Sequence, residues 1–238
     1  MTDILDSPHG PMPVYVARPA GEGRWPGVVV IHDAGGMSRD TRRQADWLAA
    51  EGYLAIALDL FAGRNVVGCM WTAFGNIRAG KGRYFDQIET ARAWVAADPT
   101  CTGRVGVIGF CMGGGFALAL APGHGFQAAS TNYGMVPEHA ETVLAQACPI
   151  VGSYGARDRS LRGAAHRLNG LLDELGINHD VKEYTGVGHG FMNDHRDEHT
   201  PWYFALMGRF VGGVAFDEAA TVDARHRISV FFHQHLAG

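Results

Sequence analysis

The chain has 238 residues, 47% of them hydrophobic, which suits a single α/β domain over residues 1–238 with a sizeable core. Its formal net charge is -4 with 18% charged residues. No Lys/Arg run reaches the density of a nucleic-acid or anionic-membrane surface, so neither partner is expected. The opening MTDILDSPHG has no basic-then-apolar pattern, and no run of about 18 apolar residues follows, which together predict a cytoplasmic protein.

In chain order, short β-rich runs alternate with helical patterns. VYVA starts at Val14, and GVVVIHD ends at Asp33 ahead of a helical face of Ala45, Leu48, Ala49 and Gly52. YLAIALDL ends at Leu60. A Gly-rich stretch from about Phe61 to Arg83 then breaks the rhythm before Tyr84, Ile88, Ala91 and Val95 mark the next helix. RVGVIGF ends at Phe110, and AASTNYG and PIVGSYG follow. Leu161, Ala165, Leu168, Leu172 and Leu175 recur at helical spacing and stop at Gly176, a C′ glycine. VKEYTG is the last strand. A second interruption, Phe191 to Thr221 with aromatics near Pro201, precedes a final helix through Ile228, Phe231, Phe232 and Leu236. Both interruptions read as excursions over the mouth of a site.

The central runs are nearly unbroken in Val, Ile, Leu and Ala, as strands covered on both faces require. Such βα alternation predicts a mostly parallel central sheet with helices on both faces, right-handed crossovers, and a site beyond the carboxyl ends of the strands.

The segment VGVIGFCMGGGF places Gly109, Cys111 and Gly113 in a G-x-nucleophile-x-G elbow between a strand and a helix. The sharp turn lifts the thiol above the sheet, and the positive end of the following helix favours the thiolate, the reactive form. Cys69, Cys101 and Cys148 have no such context and read as packed, reduced thiols, without a disulfide framework. Acyl transfer also needs a base and a group to orient it. After the nucleophile, Asp158 follows PIVGSYG and His189 lies in GVGHGF, each just past a strand, in the order nucleophile, acid, histidine. Asp158 also suits a turn or helix cap, and with 12 histidines His189 alone would prove little. The backbone N–H groups of Met112 and Ala34 are the expected oxyanion donors.

With GFCMGG, GARD and GHGF in place, the sequence resembles the dienelactone hydrolase family, from about Val14 to Leu236. The resemblance implies the α/β-hydrolase fold and a cofactor-free enzyme acting on a small-molecule ester or lactone through Cys111, Asp158 and His189. It also implies a modulating role toward the nucleophile for Asp33, where the family usually carries Glu. Substrate carboxylates would be held by arginines at positions corresponding to Asn193 and, nearby, Arg64; the neutral Asn193 therefore points to neutral or less anionic substrates. A broader carboxylesterase or thioesterase, and a non-catalytic protein on the same scaffold, are the alternative readings. His195, Glu198 and His199 spell H-x-x-E-H, but no long apolar helix surrounds them and Pro201 breaks the segment, so no metal is expected. A monomer or small homo-oligomer is expected.

Overall fold

The computed structural model describes residues 2–196, 208, 211 and 213–237. The strands are β1 (Thr2–Ser7), β2 (Gly10–Ala17), β3 (Trp25–Ile31), β4 (Leu54–Leu58), β5 (Cys101–Phe110), β6 (Ala128–Asn132), β7 (Ile150–Gly155) and β8 (His179–Tyr184). They form one eight-stranded sheet in the order β1-β2-β4-β3-β5-β6-β7-β8. β1 and β2 join antiparallel at one edge, and every pairing from β4 through β8 is parallel. The helices are α1 (Arg39–Ala50), α2 (Val66–Ala79), α3 (Arg83–Ala97), α4 (Met112–Leu120), α5 (Ala140–Val143), α6 (Ala164–Glu174) and α7 (Glu218–Leu236).

Strand side chains alternate faces, and here both faces are dry. Val29 and Ile31 of β3 join a core with α3, α4 and α6, while Val28 and Val30 face the other way, into a core with α1 and α7. The expected helical faces are the buried ones: Ala45, Leu48 and Ala49 in α1, Tyr84, Ile88, Ala91 and Val95 in α3, Ala165, Leu168 and Leu172 in α6, and Ile228, Phe231, Phe232 and Leu236 in α7. Each such fully buried aliphatic side chain stabilises the fold by about 1.5–3 kcal/mol, which sets the sheet as a rigid platform for its loops.

Two elements depart from the sequence reading. β1 is an added hairpin strand with only Leu5 buried, so its sequence TDILDS carries no strong alternation. The Gly-rich stretch after Phe61 contains the 14-residue helix α2, packed beside α3 and α4 rather than over a site mouth. Asn65 caps it, accepting from the Gly68 N–H, and Gly80 ends it with φ 61°. Among the described residues no helix is long and apolar enough to cross a membrane.

Candidate active site

The turn at Cys111 is built by backbone contact. Cys111 caps α4 with φ 55° and ψ -114°, a conformation an L-residue adopts only under strain. A Cβ on Gly109 would lie 1.9 Å from the Gly113 carbonyl oxygen, and one on Gly113 would lie 2.3 Å from that of Ile31. Both elbow glycines are thus required by steric fit. The Cys111 N–H donates to the Asn132 carbonyl at 3.0 Å, tying the turn to the end of β6. The sulfur is left half-buried at the start of the helix, whereas Cys69 and Cys101 are buried; all four cysteines are free.

Asp158 and His189 come together because the loops after β7 and β8 cross closely. A Cβ on Gly155 would sit 2.4 Å from the Gly188 carbonyl oxygen, so only glycine allows the crossing. His189 Nδ1 meets Asp158 Oδ2 at 2.5 Å, and Asp158 Oδ1 accepts from the Ser160 N–H at 2.9 Å and hydroxyl at 2.6 Å. The aspartate therefore shapes its own turn and orients the histidine. Burial raises the Asp158 carboxyl, but the His189 bond and charge, helped by Ser160, bring it below its usual range. For His189, burial works downward. The Cys111 charge, hydrogen bonds to Asp158 and Cys111, and the Asp158 charge outweigh it and lift the imidazole to about 10. His189 Nε2 is buried without an aligned hydrogen-bond partner among the described residues.

Cys111, His189, Asp33, Ala34, Gly190, Asn193, Val211 and Val214 line a cavity of about 20 Å³. Ala34 and Met112 are each 2% exposed, and neither N–H has an acceptor among the described residues. Met112 is the first residue of α4, where a helix leaves its N–H groups unpaired.

The other predicted residues behave differently. Asp33 lines the cavity, but its Oδ1 accepts from the Gly35 N–H at 2.7 Å and its Oδ2 pairs with His195 Nε2 at 2.8 Å. The carboxylate thus braces the loop after β3, and its hydrogen bonds go to Gly35 and His195 rather than to the thiol. Buried His32 strengthens the same loop: Nδ1 bonds the Asp33 carbonyl at 2.6 Å while Nε2 accepts from the Leu60 N–H at 3.3 Å. Burial lowers the His32 pKa, which keeps this bridge neutral. His195, read in the sequence with Glu198 and His199, is the partner of Asp33; Glu198 and His199 lie outside the described residues.

Arg64 is exposed at the approach to α2 and is not among the residues that line the cavity. Asn193 does line it, yet its amide is engaged at both ends. Nδ2 donates to Asp40 Oδ2 at 2.6 Å, and Oδ1 accepts from the Tyr133 hydroxyl. The side chain thus lies at the cavity and also forms a structural link between α1 and the histidine loop.

Sequence reasoning missed Tyr133 and Asp40. Tyr133, with φ 41°, stands edge-on to the His189 ring, centroids 5.2 Å apart at 60°. The visible signal was the pair Tyr133-Gly134 after a strand: a Cβ on Gly134 would lie 2.3 Å from the Gly114 backbone.

A parallel sheet with the elbow of Cys111 after β5, Asp158 after β7 and His189 after β8 defines an α/β-hydrolase fold. Residues 12–236 match the model of the dienelactone hydrolase family, and the chain belongs to that family of hydrolases. It is 30% identical over 204 residues to a Synechocystis sp. protein assigned as a carboxymethylenebutenolidase, covering 76% of this chain and 82% of the relative. It is 26% identical over 184 residues to the carboxymethylenebutenolidase of Pseudomonas putida, covering 70% and 75%. Among solved structures, a Klebsiella pneumoniae protein assigned as a dienelactone hydrolase superposes with a TM-score of 0.78 at 22% identity, covering 98% of both chains. A dienelactone hydrolase-like promiscuous phosphotriesterase from metagenomic libraries gives 0.79 at 22%, covering 100% and 99%.

Proposed function

We propose that the enzyme opens small, neutral lactones and esters through a Cys111–His189–Asp158 triad and a thioester intermediate. The observation that carries this reading is the setting of His189: Nδ1 is fixed by Asp158, and the buried Nε2, which has no other partner among the described residues, shares a cavity with Cys111. Held near pKa 10, the imidazole is protonated at neutral pH and carries the proton that the leaving oxygen needs.

The Cys111 thiolate adds to the substrate carbonyl carbon, and the displaced electron pair resides on the carbonyl oxygen. The Ala34 and Met112 N–H groups stabilise that oxyanion; removing one such donor typically costs about 3–4 kcal/mol of barrier lowering. Collapse breaks the C–O bond, and the leaving oxygen takes the proton from His189 Nε2. A water, deprotonated by the now neutral Nε2, attacks the thioester. Breaking the C–S bond releases the carboxylic acid and restores thiolate and imidazolium. For a lactone, both products are ends of one hydroxy acid. Asp158 stays ionised throughout and holds the tautomer.

The test is a panel of unsaturated lactones and neutral aryl esters assayed before and after thiol alkylation, together with Cys111→Ala. Alkylation and the substitution should each abolish turnover, and the variant should keep its fold because Cys111 is not a core residue. Near-normal turnover by Cys111→Ala would overturn the triad.

A further inference from the structure

Behind the acid loop lies a solvent-open hollow of about 230 Å³ lined by Ala156, Arg157, Asp158, Arg159 and Arg162. The three arginines are exposed. Arg159 and Arg162 have no side-chain hydrogen-bond or ion-pair partner among the described residues, and Arg157 has one 3.3 Å bond from Nη1 to the Gly186 carbonyl. Among the described residues the only acid in the lining is Asp158, which is 2% exposed and gives both oxygens to His189 and Ser160. It does not neutralise the hollow. Three cations gathered on five residues' worth of lining, in a chain of net charge -4, are not the by-product of a basic surface. Water keeps their mutual repulsion weak, and an anion shared between them would turn the cluster into one attractive site.

We propose that this hollow binds a phosphate group. Guanidinium forks match phosphate oxygens, and three of them around one site supply directional, charge-assisted donors that lysines would not. The phosphate belongs either to a free phosphorylated metabolite acting as an effector or to the tail of an ester substrate. Occupancy is felt at the nucleophile: the Arg159 N–H donates to the Val211 carbonyl at 3.0 Å, and Val211 forms part of the cavity wall over Cys111.

Calorimetric titration of the full chain with inorganic phosphate, at constant ionic strength in chloride, reads the site directly. It needs no turnover, so its outcome is independent of the triad reading. One saturable site is expected, with Tm rising by roughly 3–5 °C at tenfold excess over Kd. The double variant Arg159→Glu/Arg162→Glu should lose both signals; Arg159→Gln/Arg162→Gln serves if charge reversal impairs folding. Absence of saturable binding, or an equal rise in Tm in both double variants from the general stabilising action of the salt, would overturn the proposal. Kinetics then separate the two sources, and either supports the site. An effector changes kcat/KM for a neutral ester when phosphate is added. A substrate tail shows as competition by phosphate against a phosphate-bearing ester only.

Discussion

Asn193 donates its amide to the Asp40 carboxylate at 2.6 Å, so the residue four positions after His189 links α1 to the histidine loop. The same Asp40 accepts the Asp194 N–H at 2.9 Å, and the Tyr133 hydroxyl donates to the other end of the amide. Asn193→Ala would take an acceptor from the buried Tyr133 hydroxyl and a donor from the buried Asp40 carboxylate, at a cost of about 2–4 kcal/mol. Urea unfolding should show this loss. Asn193→Arg should not raise kcat/KM for an anionic lactone, because Asp40 would take up the new cation.

Asp40→Asn should be milder, by a definite route. Burial raises the Asp40 carboxyl above its usual value, although Asn193 and the Asp194 N–H pull the other way. An acid raised by folding costs stability once it ionises, so this cost is absent below about pH 4 and grows as pH rises above it. Asp40→Asn should remove that pH-dependent decline, losing no more than about 1 kcal/mol near neutrality. A loss as large as that of Asn193→Ala would show that the charge itself holds the loop.

Gly155 brings the acid and base loops together, and a Cβ there would meet backbone at 2.4 Å. The backbone cannot rotate away as a side chain would. Gly155→Ala should therefore separate Asp158 from His189, lowering kcat by a factor of 100 or more and stability by about 2–3 kcal/mol. Gly163→Ala, in open space at φ 74°, tests the contrast: it should cost about 1 kcal/mol and leave kcat unchanged. Equal kinetic effects would refute the close-crossing argument.

The elbow was legible in the sequence because its requirements are local: Gly109 and Gly113 flank Cys111, and each is forced by backbone packed against that one turn. Asp158 and His189 could be placed because each follows a strand end. What stayed hidden depends on contacts between distant residues. Asp40 and Asn193 lie 153 positions apart, and Asp33 and His195 lie 162 apart. Neither spacing leaves a pattern, and H-x-x-E-H drew attention to His195 for another reason. Helix α2 escaped notice because Cys69, Ala73 and Ile77 are buried while Trp71 and Phe74 on other sides are exposed, so its apolar residues mark no single face.

The histidine's elevated pKa makes a signed prediction. An imidazole near 10 in the folded enzyme and near 6.5 unfolded adds stability that is complete below about pH 6.5 and lost as pH rises through about 10. His189→Gln should flatten that part of the stability curve. Since burial alone lowers the imidazole and the Cys111 charge is the largest opposing influence, Cys111→Ala should shift the His189 titration downward. The imidazole Cε1–H resonance, assigned by its loss in His189→Gln, reports this by NMR. An unchanged midpoint in Cys111→Ala would mean that the sulfur and the imidazole do not share charge.

The cavity at Cys111 bears on substrate size. About 20 Å³ holds little more than one water, far less than a lactone ring, so substrate entry must enlarge it. Its lining includes Val211 and Val214. The latter is 37% exposed, joins His189 through an isolated β-bridge, and would crowd a Cβ on Gly190 at 3.0 Å. The bridge uses backbone, so shortening the side chain leaves the histidine loop in place. Val214→Ala should therefore raise kcat/KM for bulky aryl esters by about three- to tenfold, within the range of about 1–3 kcal/mol by which small changes in an apolar pocket discriminate substrates. Acetyl esters should change less than twofold, and His189 should titrate as in the parent enzyme. Equal acceleration of large and small esters would place the limitation in the chemistry rather than in the wall formed by Val214.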